Sequence, residues 1–214
     1  MLKNIPLFAG LNEHELAQIN QHATTRTYPK NTLIITEGDP AEMLYFILKG
    51  KVKILLNDET GKEVIINCQG AGEYFGELAL IDEAQRSASV MTTETSTFSV
   101  ISKHSFQDLL AKNPNIALSL IRDLTHRVRA LTDNVKSLAL LDVYGRVAKT
   151  LLNMATEHDG KLLIEDKLTQ QDIANRVGAS REMVSRILKD LSAGGYISME
   201  QKHIVINEQL PKHY

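Results

Sequence analysis

The segment Gly72–Ala88 holds the side chains of this sequence best suited to bind a phosphate. Arg86 can donate two parallel hydrogen bonds to one phosphate group, and Ser87 can add a hydroxyl. Gly76 allows the backbone to approach a ligand closely. Glu77 can accept a hydrogen bond from a ribose hydroxyl. The combination predicts a ligand that carries both a phosphate and a sugar.

Backbone donors are expected beside these side chains. The amides of Leu78 and Ala79 would stand at the start of a short helix, where free N–H groups favour anions. An arginine and a glutamate at the spacing of Arg86 and Glu77 usually form only a surface ion pair. The prediction therefore depends on the whole segment, not on that pair.

A second polar cluster follows near the C-terminus, in two helices joined by a turn. Ala174 is small enough for a close helix crossing, Gly178 permits a left-handed turn, and Val184 and Leu188 give the second helix an apolar face. This pattern predicts a helix-turn-helix, and the following hairpin, Tyr196–Met199 with His203–Ile206, would be its wing. The alternative is an ordinary solvated helix surface.

In a helix-turn-helix, the N-terminal end of the second helix enters the major groove of DNA. Arginine can donate to guanine there, and glutamate can accept from cytosine. The predicted DNA-contacting residues are Thr169, Gln170, Ser180, Arg181, Glu182, Ser185, Arg186 and Lys189. Lys202 and His203 could also meet phosphates, although each is more commonly a plain surface residue.

A long helix is predicted after Pro114, with apolar residues in a heptad pattern. β-branched residues at one heptad position and leucine at the other favour a parallel two-stranded coiled coil. The predicted dimer interface consists of Ala117, Ile121, Leu124, Val128, Leu131, Val135 and Leu138. The alternative is a helix packed only on its own domain.

The remaining elements predict an α+β protein. Residues 1 to about 22 are predicted to be helical, with Asn12 as an N-cap and Glu15 three residues on, as in a capping box. Short strands at roughly ten-residue spacing follow from Thr27 to about Ile101, as in an antiparallel β barrel. One hairpin turns at Asn57–Gly61, and Leu141–Glu157 is predicted to be helical. The expected domains are an effector-binding β domain (1–112), a dimerisation helix (113–140) and a winged helix-turn-helix (141–214).

Composition narrows the function classes. The apolar fraction is 43%, the charged fraction 23% and the net charge −2, so DNA binding would depend on a few placed arginines. The single cysteine, Cys68, cannot form an internal disulfide and is too few for an Fe–S cluster. Without a signal peptide or an apolar stretch of membrane length, the sequence predicts a cytoplasmic protein with no membrane contact.

The order of these elements resembles the catabolite activator (cAMP receptor protein) and fumarate–nitrate regulator family, over nearly the whole chain. The residues that carry the resemblance are Phe75–Leu80 with Arg86–Ala88, like the phosphate-binding cassette of cyclic-nucleotide domains, Leu138–Ala148, like the family's hinge, and Ser180–Arg186, like its recognition helix. The two parts of the first motif, within residues 75–88, are called the cassette below.

The resemblance implies a jelly-roll β domain and roles for individual residues. Gly76, Glu77, Arg86 and Ser87 would hold the ribose and the cyclic phosphate, and Arg127 would support them. Arg181, Glu182 and Arg186 would contact a TGTGA-like half-site of a palindrome in double-stranded DNA. Ser185 resembles the fumarate–nitrate branch, so TTGAT-like sites stay open. RNA polymerase is a partner by family analogy, through the loop Glu157-His158-Asp159-Gly160.

One departure concerns the base of the nucleotide. The positions that contact adenine across the dimer in cAMP-binding members are Leu131 and Thr132 here, and leucine cannot hydrogen bond. The effector would therefore be cAMP with weakened coupling or another cyclic nucleotide, such as cGMP or cyclic di-GMP. A vestigial site with a haem or gas ligand, or with no ligand, is the alternative.

The leading hypothesis is a homodimeric transcription regulator gated by a small effector. A regulatory subunit of an enzyme would keep the cassette but would not need Arg181, Glu182 and Arg186. Catalysis has no candidate residue, since paired carboxylates, a nucleophile elbow and an HExxH motif are missing from the sequence. No metal ligands are predicted. Cys68 as a thiol sensor is less favoured than an inert buried cysteine.

Overall fold

A computed structural model describes all residues except 1, 2, 4, 62, 159, 160, 167, 201, 202 and 212–214, and for residue 18 the backbone alone. The chain forms two compact units, Met1–Arg127 and Val128–Tyr214. The long helix α4 (Pro114–Leu140) contributes residues to both units.

The first unit is mostly β structure flanked by helices. Its helices are a short 3-10 turn (Pro6–Phe8), α1 (Glu13–Gln21), α2 (Leu78–Ile81), α3 (Lys103–Lys112) and the first half of α4. The helix predicted over residues 1 to about 22 was too long, because Asn12 caps α1 and the α-helix begins only at Glu13. Its strands are β1 (Thr24–Tyr28), β2 (Leu33–Ile35), β3 (Met43–Lys49), β4 (Lys51–Asn57), β5 (Glu63–Gly70), β6 (Tyr74–Phe75), β7 (Ser89–Thr92) and β8 (Ser96–Ser102).

These strands form two antiparallel four-stranded sheets, in the orders β1-β8-β3-β6 and β2-β7-β4-β5. Apolar residues from both sheets pack together between them, among them Ile47 and Phe98 from one sheet and Val52 and Val90 from the other. The predicted antiparallel jelly-roll fold is therefore confirmed. The predicted hairpin around Asn57–Gly61 is the β4–β5 pair.

A second apolar core holds the helices against the first unit's sheets. Phe8, Phe46 and Phe106 are fully buried in it, together with Ile116 and Leu120 from the beginning of α4. Pro114 is the first residue of α4, where a proline costs no helical hydrogen bond. This packing fixes the first half of α4 beside the cassette.

The second unit combines three further helices with a small sheet. The helices are α5 (Val143–Met154), α6 (Gln170–Val177) and α7 (Arg181–Ala193). The strands are β9 (Thr156–His158), β10 (Lys161–Ile164), β11 (Ile197–Glu200) and β12 (His203–Ile206), in the antiparallel order β11-β12-β10-β9.

In the second unit, one prediction was wrong in detail and another was confirmed but incomplete. The helix expected over Leu141–Glu157 ends at Met154, because Thr156 and Glu157 belong to strand β9. The predicted wing hairpin is present, but β10 pairs with β12 and extends it to four strands. That pairing joins segments on either side of the helix-turn-helix, so no local sequence pattern indicates it.

Candidate effector pocket and nucleic-acid interface

Arg86 ties the cassette to the sheet through main-chain oxygens. Its Nη1 donates to the carbonyl oxygen of Gly76 and its Nη2 to that of Met43, both at 2.7 Å. Gly76 has φ +88°, and a Cβ there would lie 2.8 Å from Arg86 Nη1. Only glycine permits both the backbone conformation and this close approach.

The Arg86 guanidinium is a buried charge without a directly bound carboxylate. The residue is 7% exposed, and among the described residues no carboxylate lies within ion-pair distance of it. Burial lowers its pKa, and this is opposed most strongly by Tyr45 and Glu77. Arginine nevertheless stays charged at neutral pH. The arrangement suits an anionic ligand, which would neutralise this charge.

Glu77 is the carboxylate of the cassette, and its partner is on α4. It is 2% exposed, and its Oε1 accepts a hydrogen bond from Arg127 Nη1 at 2.5 Å. Burial raises the pKa of Glu77, and Arg127 opposes that rise. Arg127 also lies over the ring of Tyr74, 4.9 Å from its centroid, while the Tyr74 hydroxyl donates to Asp123 Oδ2 at 3.0 Å. These contacts join the cassette to α4.

A cavity of about 80 Å³ lies beside these groups. Its lining includes the six cassette residues predicted to bind the ligand, Gly76, Glu77, Leu78, Ala79, Arg86 and Ser87, and also Arg127 of α4. Leu78 and Ala79 are the first two residues of α2, as predicted, so their N–H groups have no partner within that helix. The Ser87 side chain is exposed at the cavity.

The two residues predicted to contact the base, Leu131 and Thr132, belong to the second unit. The Leu131 side chain is 46% exposed, and the Thr132 hydroxyl donates to the Val128 carbonyl oxygen at 2.9 Å. Their predicted contact across a dimer stays a prediction.

The helix-turn-helix is built as its sequence predicts. Gly178 ends α6 in the left-handed conformation, with φ +66°, and Ala174 is completely buried where the two helices pack. Val184 is also fully buried, whereas Leu188 is only half-buried; Ile187 and Leu191 complete the inner face of α7. The exposed face of α7 is therefore free to meet a partner.

Two of the predicted DNA contacts are capping residues. The Ser180 hydroxyl accepts from the Met183 amide at 3.2 Å at the start of α7. The Thr169 hydroxyl accepts from the Asp172 amide and donates to its carboxylate at the start of α6. Ser180 keeps a hydroxyl proton to donate, whereas Thr169 already uses its own within the capping box.

The other six predicted DNA contacts share one surface hollow of about 420 Å³, called the interface hollow below. It is lined by Gln170, Arg181, Glu182, Ser185, Arg186 and Lys189. Three of these residues are cationic and one is a carboxylate. Such a surface can bind an acidic backbone and still accept hydrogen bonds from base edges.

The remaining predicted contacts lie in or near the wing. His203 pairs with Glu200 in the β11–β12 ladder, while Lys202 lies outside the described residues. The loop expected to touch RNA polymerase is described only at Glu157 and His158, and His158 Nε2 lies 2.7 Å from Glu165 Oε1.

The predicted dimer interface is largely an exposed apolar stripe. Five of its members are between 46% and 64% exposed: Ile121, Val128, Leu131, Val135 and Leu138. Ala117 and Leu124 are half-buried, and Leu124 packs against the core of the first unit. The heptad pattern alone could not separate these two environments, because both place leucine on an inward helix face.

Some residues of the site were missed by sequence reasoning. Met43 contributes a carbonyl oxygen, for which a sequence holds no signal. Tyr74 and Asp123 support Arg127 through long-range contacts. An aromatic residue directly before the cassette was the one available hint of Tyr74.

The described residues include neither a helix of membrane-spanning character nor a candidate metal cluster. None of their helices is long and apolar enough to cross a membrane. No group of three or more of their histidine, cysteine, aspartate or glutamate side chains could hold a metal ion.

Two family models match the chain. Residues 25–113 match the cyclic nucleotide-binding domain, and residues 145–209 match the Crp-like helix-turn-helix domain. The chain is 40% identical over 189 residues to the cAMP-activated global transcriptional regulator CRP of Salmonella typhimurium, covering 86% of this chain and 90% of that protein. It is 34% identical over 213 residues to the CRP-like cAMP-activated global transcriptional regulator of Mycobacterium tuberculosis, covering 97% and 95%.

Solved structures show the same architecture. The c-di-GMP-responsive global regulator CLP of Xanthomonas campestris matches with a TM-score of 0.81 at 29% identity, over 92% of this chain and 100% of that chain. The catabolite activator protein of Thermus thermophilus matches with a TM-score of 0.57 at 28% identity, over 95% and 94%. With the sequence relatives, these matches establish that the chain belongs to the Crp/Fnr family of transcription regulators.

Proposed function

We propose that this protein is a homodimer that binds a palindromic DNA site and that a cyclic nucleotide in the β domain controls this binding. The observation that carries the effector site is Arg86, a buried guanidinium held by the carbonyl oxygens of Gly76 and Met43. A cyclic phosphate would give this charge an anionic partner, and Ser87 would add a hydroxyl. The effector domain is assigned to residues 1–112.

Glu77 and Arg127 would transmit effector binding to the dimerisation helix, residues 113–140. A ribose hydroxyl that donates to Glu77 would share this carboxylate with Arg127, since a carboxylate accepts hydrogen bonds through two oxygens. Ligand binding therefore changes the free energy of the contact between the cassette and α4. An effector shifts a conformational equilibrium only by such a difference in affinity between two states.

The effector is proposed to be cAMP or another cyclic nucleotide. The cAMP-activated relatives from Salmonella typhimurium and Mycobacterium tuberculosis favour cAMP. Leu131 favours a cyclic nucleotide other than cAMP, because a leucine side chain offers no hydrogen bond to a base. The c-di-GMP-responsive regulator from Xanthomonas campestris makes cyclic di-GMP the first competitor to measure.

The winged helix-turn-helix, residues 141–214, would contact DNA through the interface hollow. Arg181, Glu182 and Arg186 would contact base edges of a TGTGA- or TTGAT-like half-site, and Lys189 would contact a phosphate. Two such modules, joined through the apolar stripe of α4, would occupy half-sites one DNA turn apart, about 34 Å.

The remaining partners follow from this role. Binding a chromosomal site places the protein in the cytoplasm, and contact with RNA polymerase is proposed by family analogy at the loop of residues 157–160.

Selection from random DNA tests the proposed binding site. The chain would be incubated with a random duplex library at fixed salt, with and without cAMP, and the bound fraction sequenced. The proposal predicts a palindrome of TGTGA- or TTGAT-like half-sites with centres one helical turn apart. Enrichment of an asymmetric or unrelated site would contradict the assigned recognition residues.

A further inference from the structure

The interior of the β domain holds a glutamine whose amide lacks a hydrogen-bond partner. Gln69, in β5, is 1% exposed. Among the residues that the structure describes, none forms a hydrogen bond with its Oε1 or its Nε2. Buried polar groups almost always have a partner, because leaving one unpaired costs stability. This exception therefore needs a physical explanation.

The strand register places Gln69 one row away from residues that line the effector cavity. Gln69 of β5 is opposite Val52 of β4. Two residues further along the same face of β5, Asn67 is opposite Ile54. On the other side of β4, Ile54 is opposite Val90 of β7. Directly opposed residues share one face of a sheet. Ile54 and Val90 line the cavity beside the cassette. The amide thus lies one row, roughly 7 Å along the strand, beyond residues that line the cavity.

Two neighbouring polar side chains on this face have other partners. Asn67 Oδ1 accepts a hydrogen bond from the Cys68 amide at 2.8 Å. The hydroxyl of Thr92, opposite Val52, accepts from the Thr32 amide at 2.8 Å and donates to a main-chain carbonyl oxygen at 2.7 Å. Neither group satisfies Gln69. Its amide thus has no evident use within the fold.

We propose that Gln69 determines base specificity by hydrogen bonding to the group at C6 of a purine in the effector. This inference rests on the proposed function, which places the cyclic phosphate at Arg86. A side-chain amide carries both a donor and an acceptor, so it can accept from the amino group of adenine or donate to the keto oxygen of guanine. The effector class is then a cyclic purine nucleotide.

A comparison of the wild-type protein with Gln69→Met, each with three ligands, tests this contact. Isothermal titration calorimetry would measure cAMP, cGMP and the cyclic 3′,5′-monophosphate of purine riboside, which carries only hydrogen at C6. The wild-type protein should bind its preferred nucleotide, cAMP or cGMP, about tenfold more tightly than the purine riboside compound, the loss expected for one hydrogen bond. Gln69→Met should bind all three within about twofold of one another, because thioether sulfur accepts only weakly.

Thermal unfolding without ligand separates a binding role from a structural one. Gln69→Met removes a buried unpaired amide at similar volume, so the melting temperature should rise by about 2–4 °C. A glutamine with a structural role would give a lower melting temperature instead. Gln107→Met, an exposed glutamine of α3, is the matched control and should change neither the affinities nor the melting temperature.

The possible failures are distinguishable. Binding by the wild-type protein with discrimination that persists in Gln69→Met would overturn the role of Gln69 alone, and so would a lower melting temperature. A wild-type protein that binds none of the three nucleotides would overturn both this contact and the proposed effector class. Gln69→Leu repeats the test with a side chain that has no acceptor at all.

Discussion

Arg127 of α4 donates a hydrogen bond to the carboxylate of Glu77 at 2.5 Å, and Glu77 is almost completely buried. The pair joins the segment that would hold the effector to the helix that would hold the dimer. A carboxylate buried this deeply is costly unless a cation stays beside it. The contact therefore makes the cassette and α4 energetically dependent on each other.

Glu77 should give the protein a measurable pH dependence. Burial raises the pKa of Glu77 in the folded state, so the folded protein holds this proton to a higher pH than the unfolded chain does. Its contribution to the free energy of unfolding therefore falls as pH rises from about 4.3, the ordinary value for glutamate, through the folded-state value.

In Glu77→Gln, this pH-dependent fall in the free energy of unfolding should be absent, while the glutamine still offers Arg127 a hydrogen-bond acceptor. Urea unfolding of both proteins between about pH 4.3 and pH 7 checks the prediction, since other titrating groups cancel in the difference. The variant should gain stability relative to the wild type as pH rises. A difference that stays constant across this range would contradict a raised pKa.

Arg86→Ala should weaken cyclic-nucleotide binding by about 100-fold or more, because the site loses its charged fork for the phosphate. Arg86→Lys keeps the charge but not the paired donors, so its affinity should be intermediate. Calorimetry measures both variants, and Arg122→Ala, an exposed arginine of α4, is the control. An unchanged affinity of Arg86→Ala for the cyclic nucleotide would contradict the cassette as the effector site.

Glu182→Ala should relax base preference and leave non-specific DNA binding nearly intact. A glutamate can accept from a base edge but repels phosphates, and such contacts contribute about 1–3 kcal/mol of discrimination. Lys189→Ala is the control for a phosphate contact. It should weaken binding to all sequences and reduce the slope of log affinity against log salt concentration by about 1. Fluorescence anisotropy on specific and scrambled duplexes measures both. A uniform loss in Glu182→Ala would argue against direct base contact.

Val135→Asp should prevent dimerisation without unfolding the chain. Val135 is 64% exposed, so a charge there costs the monomer little, whereas it would be buried in a dimer that formed through the proposed stripe. Analytical ultracentrifugation should show a monomer for Val135→Asp and a dimer for Ala130→Asp, which adds the same charge at an exposed position of α4 away from the stripe. If both variants were dimeric, this stripe would be excluded as the dimer interface.

Local signals in the sequence predicted much of the fold. Asn12 and Glu15 form the predicted capping box, Thr169 begins α6, and Gly178 has the left-handed conformation that the turn requires. Each of these features depends on residues within one helical turn. The cassette was predictable for a similar reason, because most of its side chains lie in one short segment.

Features that depend on distant residues were not predictable. The acceptor role of the Met43 carbonyl comes from the pairing of strands, and any residue type would supply the same atom. The pairing of β10 with β12 crosses the entire helix-turn-helix. Gln69 looks like an ordinary polar residue of a half-exposed strand until the register shows that it is buried.

The most direct test of the central claim is fluorescence anisotropy with a palindromic TGTGA duplex at fixed salt, because salt alone changes such affinities strongly. The wild-type protein and Arg86→Ala would each be titrated with and without cAMP. We expect cAMP to tighten DNA binding by the wild-type protein and to leave DNA binding by Arg86→Ala unchanged. If the wild-type protein bound DNA equally tightly with and without cAMP, control by cAMP would be contradicted. If cAMP tightened DNA binding by Arg86→Ala as much as by the wild-type protein, an effector site at the cassette would be contradicted.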